Sequence, residues 1–146
     1  DADVNATAAI AQSKVATLVA DLALKTDIIS ELVTLNAFAA NVLTVDLSTG
    51  NVKQVTAAPT GAWTANVTNA PTTDGKAITV ALFVTQGATG YIPTTFQIAG
   101  VGQTILWSGG TAPTATSTAG KVDIFSFTLL RMAGAWIVYG SMLAKF

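Results

Sequence analysis

Histidine and cysteine are absent from the 146 residues, and glutamate occurs once, at Glu31. Imidazoles, thiols and carboxylates supply most general acids and bases, nucleophiles and metal ligands. Their scarcity argues against an enzyme, a metal site or a bound cofactor, and no disulfide can form. Charge is scarce too, at 10% of residues against roughly 25% in an ordinary soluble domain. The seven basic residues are spread along the chain, which excludes the clustered basic face that nucleic acid requires. The longest apolar region, Val122 to Leu143, is broken by Asp123, Arg131 and Gly134, so no stretch reads as a membrane insertion. No basic-then-apolar leader opens the chain. Because Asp1 is not a translational start, a methionine or longer leader is expected to have been removed or left out.

What fills the chain instead is small and uncharged. Hydrophobic residues make up 51% and threonine occupies 23 positions, with a mean hydropathy of +0.55. That is more apolar area than one small domain buries alone, so burial between copies, an oligomer, is the expected outlet. The net charge of −1 hides an asymmetry. Residues 1–46 carry Asp1, Asp3, Asp21, Asp27, Glu31 and Asp46 against Lys14 and Lys25, a net −4. Residues 47–146 carry Asp74 and Asp123 against Lys53, Lys76, Lys121, Arg131 and Lys145, a net +3.

Periodicity also divides the chain at this point. From Ala6 to Leu43 there is no glycine or proline, and apolar residues recur at helical spacing. One heptad frame places Val15, Leu18, Leu22, Lys25, Ile29, Leu32, Asn36, Ala39 and Leu43 at its a and d positions. Asn36 would then fix register in a parallel coiled coil, and Lys25-Thr26-Asp27 would be either part of that helix or a turn between two shorter ones. The stripe widens to Val19, Ile28, Val33 and Leu35, so a helix packed on its own β domain remains the alternative to association. The candidate helical oligomer interface is therefore Val15, Leu18, Leu22, Ile29, Leu32, Asn36 and Leu43. The expected division is 1–46 as a coiled-coil or docking arm and 47–146 as a β domain. A helical segment of this length spans at most about 55 Å, too short for a full tail-fibre shaft.

Beyond Val42 the signals are those of strands. Trp63 to Thr68 alternates apolar and polar, as a strand with one buried face does. Ala77 to Thr85 is apolar on both parities and suits a central strand covered on both faces. Gln103 to Ser108 reads as a further short strand, and Val122 to Arg131 with Ala135 to Leu143 as a terminal hairpin about Met132-Ala133-Gly134. Turn signals separate them at Ser48 to Gly50, Pro59 to Gly61, Pro71 to Gly75, Gly87 to Gly90, Gly109-Gly110 and Pro113 to Gly120. Even spacing without βαβ alternation predicts a mainly β fold, an antiparallel, jelly-roll-like β-sandwich preceded by the helical segment.

Residues 63–143 contain in order WTANVTNAPTTDGKAITVALFV, TQGATGYIPTTFQIAGVGQTILWSGGTAPT and VDIFSFTLLRMAGAWIVYGSM. In these segments the chain resembles the C-terminal β domain of virion structural proteins of tailed phages, notably cyanophages, where it serves as a tail-fibre-like or particle-surface domain. The most specific parts are QGATGYIPT, the QTILWSGG block and the SFTLLR to AW hairpin. The resemblance implies a non-catalytic virion component, commonly a homotrimer, in contact with other capsid or tail proteins. Residues 1–46 carry none of it. If residues 1–146 are nearly the whole product, a capsid decoration or cement protein, or a short fibre, fits that length; a missing leader would instead make these residues the distal end of a tail fibre. Low charge and abundant apolar surface favour the decoration reading.

Individual residues refine the alternatives. Trp63, Trp107 and Trp136 stand beside apolar partners and are expected as core or intersubunit anchors. Tyr91, in a predicted connection, is the candidate surface contact, and with Gln86 or Gln97 the one candidate for a carbohydrate-binding module recognising a host glycan. A paired-carboxylate site would need two of Asp46, Asp74 and Asp123 to converge; their turn and strand-edge neighbours favour solvated loops instead.

Overall fold

The computed structural model describes residues 33–144 and Phe146. Val15, Leu18, Leu22, Ile29 and Leu32 of the heptad stripe lie outside the described residues. The division of the chain falls between Glu31 and Leu32, so residues 33–46 belong with the β domain. Asn36 and Leu43 are accordingly not on a helix. Asn36 ends strand β1 (Val33–Asn36), and Leu43 lies in β2 (Val42–Asp46) with its side chain in the core. The Val-Leu-Thr-Val run satisfies a strand's alternation as well as a helical stripe, and its β-branched residues favour the strand. Between the two strands Ala40 and Asn41 adopt left-handed backbone, φ 48° and 61°, which a right-handed helix cannot continue through.

Eight further strands follow: β3 (Val52–Val55), β4 (Trp63–Thr68), β5 (Lys76–Thr85), β6 (Pro93–Ile98), β7 (Val101–Gln103), β8 (Ile105–Trp107), β9 (Val122–Met132) and β10 (Ala135–Leu143). The domain is mainly β. A six-stranded sheet in the order β1-β3-β5-β9-β10-β8 and a four-stranded sheet in the order β2-β4-β6-β7 share one hydrophobic core, consistent with a β-sandwich.

Strand pairing departs from the antiparallel, jelly-roll-like expectation. From β1 to β6 the chain alternates between the two sheets, so each strand reaches its same-sheet neighbour after a complete excursion through the other sheet and runs in the same direction. Thus β1, β3 and β5 pair in parallel, as do β2, β4 and β6. Strand β8 also lies parallel to β10. Among the ten described strands, antiparallel pairing is confined to β5 with β9, β9 with β10 and β6 with β7. Both of the latter hairpins turn on an alanine–glycine pair with positive φ at each residue, Ala99-Gly100 (51°, 79°) and Ala133-Gly134 (49°, 77°). That is the two-residue geometry matching the twist of paired strands. The strand expected at Gln103 to Ser108 is in fact two strands: β7 closes the four-stranded sheet, Thr104 crosses over, and β8 closes the six-stranded one.

The core forms where the inner faces meet. Leu43, Val45, Ala65, Val67, Phe96 and Ile98 come from the smaller sheet, and Val55, Val80, Leu82, Val84, Phe125, Phe127, Leu129 and Val138 from the larger. Trp63 is fully buried, edge-on to Phe38 and Phe125 at 5.2 and 5.6 Å. Trp107 reaches inward from β8 to lie 5.8 Å from Phe127, across Gly140 of the neighbouring strand. A Cβ on Gly140 would stand 2.7 Å from Ile105 and 2.9 Å from the Trp107 ring, so this edge of the sheet requires glycine. Gly140→Val should therefore cost about 1–3 kcal/mol and lower the urea midpoint of unfolding; an unchanged midpoint would mean that Trp107 is not packed on this strand.

Candidate interaction surfaces

Register fixes which side chains share the face of the six-stranded sheet turned away from the core. Val33 and Val52 align with Ala81, and Leu35 and Gln54 with Phe83. Ala77, Thr79, Ala81 and Phe83 sit opposite Leu130, Thr128, Ser126 and Ile124, which in turn face Ile137, Tyr139, Ser141 and Leu143. Leu106 stands beside Tyr139, and Met132 and Ala135 complete the end of the hairpin. No residue of this set carries a charge. Among the described residues, six of the eight large hydrophobics that stay exposed belong to it, from Tyr139 at 46% through Leu143 at 62% to Leu35 at 74%. Strand β5, apolar on both parities in the sequence, buries only the parity of Val80, Leu82 and Val84; its other face is the open one.

The opposite outer face, on the four-stranded sheet, has a different chemistry. Val42, Thr64 and Thr95 align, as do Thr44, Asn66 and Gln97, while Asp46 aligns with Thr68. Hydroxyls and amides line most of it, whereas the larger sheet sets its hydroxyls, Thr79, Ser126, Thr128, Tyr139 and Ser141, in a central band flanked by aliphatic and aromatic side chains.

The three candidate carboxylates occupy separate structural networks. Asp46 caps the short 3-10 turn Leu47–Thr49: its Oδ1 accepts from the Ser48 N–H at 2.9 Å, the Ser48 hydroxyl at 2.7 Å and the Asn69 side-chain amide at 2.7 Å. Asp74 accepts from the Gly134 N–H at 3.1 and 3.0 Å and lies 3.5 Å from Arg131 Nε. Asp123 is fully buried and accepts from the Thr116 N–H at 2.8 Å and the Thr116 hydroxyl at 2.6 Å. Asp123 and Arg131, the partner of Asp74, lie at opposite ends of β9, about 27 Å apart at strand rise, well beyond the roughly 5–10 Å of a glycosidase pair.

Tyr91 belongs to the frame as much as to the surface. Half-buried, it packs against the core, and its backbone is gripped from two sides. The Gln86 side chain accepts from the Tyr91 N–H and donates to the Tyr91 carbonyl, both at 3.1 Å, while Trp63 Nε1 donates to the same carbonyl at 3.2 Å. Gln86, buried to 1% exposure, also donates its own N–H to Lys121 and accepts at its carbonyl from Gly120. The amide expected to meet a sugar beside Tyr91 is therefore consumed by the loop. Beside it, a Cβ on Gly90 would come within 2.3 Å of the Thr116 carbonyl oxygen, so residues 113–120 lie directly against the QGATGYIPT segment and Asp123 anchors them there. Gln97 stands on the four-stranded sheet, away from this grip.

Lys53 was not legible as a core residue. Its register places it on the inner face opposite Leu82, 1% exposed, with Nζ donating to the Thr49 hydroxyl at 2.9 Å and the Asp46 carbonyl at 3.3 Å. Burial lowers its pKa below the ordinary lysine range, partly offset by the Asp46 charge. The Asp46 carboxyl is held below the ordinary carboxylate range, first by the Asn69 amide and then by Ser48. Among the described residues no group of three or more acidic side chains is placed to hold a metal ion, and no helix is long and apolar enough to cross a membrane.

The chain matches no known protein family, curated protein or solved structure.

Two outcomes follow from these networks. Gln86→Ala removes both side-chain bonds to the Tyr91 backbone and should destabilise the domain by about 1–3 kcal/mol, measured by urea unfolding; no change would show the grip to be idle. For Lys53, the unfolded chain binds more protons than the folded one between the lowered pKa and the ordinary lysine value, so its contribution makes stability rise with pH through that window. Lys53→Met should flatten that rise in unfolding curves taken as the pH climbs toward the ordinary lysine value; a slope equal to wild type would contradict the burial effect.

Proposed function

We propose that this protein is a non-enzymatic structural component of a tailed-phage virion, a homotrimeric capsid decoration or cement protein or short fibre on the particle surface. The observation that carries the reading is the uncharged outer face of the six-stranded sheet, which leaves Leu35, Leu106, Met132, Tyr139 and Leu143 exposed. Large apolar faces of this kind belong in subunit interfaces. The 41 residues of this sheet's six strands, at about 3.3 Å rise and 4.8 Å spacing, give a face of roughly 650 Å², toward the lower end of what each partner contributes to a stable interface. The occupants assigned to it are further copies of this chain. The apolar second parity of β5 supports this, because it is the pattern of a strand covered on both sides.

The resemblance carried by QGATGYIPT, QTILWSGG and the SFTLLR to AW hairpin supports the virion setting. Those segments supply the Gln86 grip, the sheet crossover at Thr104 and the β9–β10 hairpin, which are features of frame rather than of chemistry. With the apolar face turned to the other subunits, the Thr, Asn and Gln face of the smaller sheet is the one presented outward. A distal tail-fibre domain is the second reading, favoured by that same polar face.

Light scattering should return three times the 14.9 kDa chain mass for the wild type. Thr128→Lys, at the centre of the apolar face, should shift the mass toward one copy with the fold retained by circular dichroism. A wild-type monomer would overturn the trimer, and a Thr128→Lys trimer would overturn the choice of face. Immunogold labelling of phage particles should decorate the capsid; labelling at the tail tip would favour the fibre reading, and unlabelled particles would contradict both.

A further inference from the structure

At one end of the sandwich the six-stranded sheet outruns its partner, and a cleft of about 340 Å³ opens there. Pro71 and Thr72 of the loop after β4, the Ala99 turn, Val101 and Gln103 of β7, and Arg131 with Trp136 of the terminal hairpin form its walls. The wall is largely aliphatic and aromatic, with a few polar groups, which is the usual make-up of a small-ligand site of this size.

The one charged side chain in its wall is Arg131. Arg131 extends over the Trp136 ring, its guanidinium carbon 5.4 Å from the ring centre. Arg131 Nε is one of two buried side-chain polar atoms without a hydrogen bond among the described residues, the other being Thr34 Oγ1. Asp74 lies 3.5 Å from it, an ion pair without a hydrogen bond, and both Asp74 oxygens already accept from the Gly134 N–H. The terminal guanidinium nitrogens meet no protein acceptor among the described residues, and the side chain is 21% exposed. Lys76 sits directly opposite Arg131 in the β5–β9 register, on the same face. Two like charges paired across strands oppose folding, and the single Asp74 carboxylate offsets only one of them. Gln103 adds a free carbonyl oxygen, because its amide nitrogen donates to the Val101 carbonyl, and Thr72 adds a hydroxyl.

We propose that this cleft binds a carboxylate-bearing sugar of the uronic acid type. The carboxylate takes the unfilled fork of Arg131, for which a planar two-oxygen acceptor is the matching partner, and its charge balances Lys76. The sugar body lies against Trp136, Pro71 and Val101, and its hydroxyls meet Gln103 and Thr72. The site is independent of the subunit interface, because Arg131, Trp136 and Lys76 project from the face opposite to that of Thr128 and Tyr139.

Titration of the full-length protein with D-galacturonate, followed through the Trp136 indole and Arg131 Nε–H resonances, tests this. Saturable binding of galacturonate is expected, about tenfold tighter than that of D-galactose, which lacks the carboxylate, or of acetate, which lacks the ring. Arg131→Lys keeps the charge but not the fork and should weaken binding about tenfold. Lys76→Ala, at an exposed position that leaves the Asp74 pair intact, should weaken it severalfold. Absence of saturation by galacturonate, equal binding of acetate or galactose, or full affinity in the folded Lys76→Ala and Arg131→Lys proteins would each overturn the assignment.

Discussion

A sheet that is apolar on both faces can bury only one of them against a single partner sheet, and the organisation of this domain follows from that constraint. The smaller sheet, four strands against six, seals Val80, Leu82, Val84, Phe125, Phe127 and Leu129 completely. The reverse side of the same strands carries Ala81, Phe83, Ile124, Leu130, Ile137 and Leu143 without a charge among them. In water such a face favours self-association, since each square ångström of apolar surface removed from solvent is worth about 25 cal/mol. The two outer faces of the sandwich thus differ in kind, one suited to dry contact and the other to solvent.

The polar side chains that are buried serve to close the ends of the sandwich. Gln86 ties the β5–β6 connection to the chain before β9, Asp123 fixes Thr116 against Gly90, and Asp46 organises the turn over which Lys53 folds. Each of these groups has its partners inside the protein, so little polar chemistry is left over in the frame. The charged exception is the Lys76–Arg131 pair, where positive charge exceeds the available carboxylate, and it is there that a ligand is expected.

Sequence periodicity was a sound guide where strands were long or strictly alternating. β4, β5 and the β9–β10 hairpin appear within a residue of their expected limits, β4 because of its strict alternation and the others because they are apolar runs bounded by turn signals. It misled at Asn36 and Leu43, where short strands rich in valine and leucine coincide with a helical stripe. It also concealed β3, β6 and β7, which are short or contain proline, lysine or glycine. Pairing direction was illegible altogether, since alternation says which face is buried and nothing about which sheet the next strand joins. As for sites, Tyr91 is legible as an aromatic in a loop, but its neighbour Gln86 turns inward to bind the Tyr91 backbone. The Arg131 cleft depends on register between β5, β9 and β10, and no local motif announces it.

The central claim is that the outer face of the six-stranded sheet is covered by further copies of the chain. Because the protein contains no cysteine, a single introduced thiol reports on that face directly. Ser141 stands exposed near the end of β10 on this face, and Thr114 stands exposed in the loop between β8 and β9. The account predicts that, at concentrations where the assembly is intact, a maleimide labels Ser141→Cys far more slowly than Thr114→Cys, and that the difference vanishes on dilution to the monomer. Equal labelling rates at every concentration would contradict it.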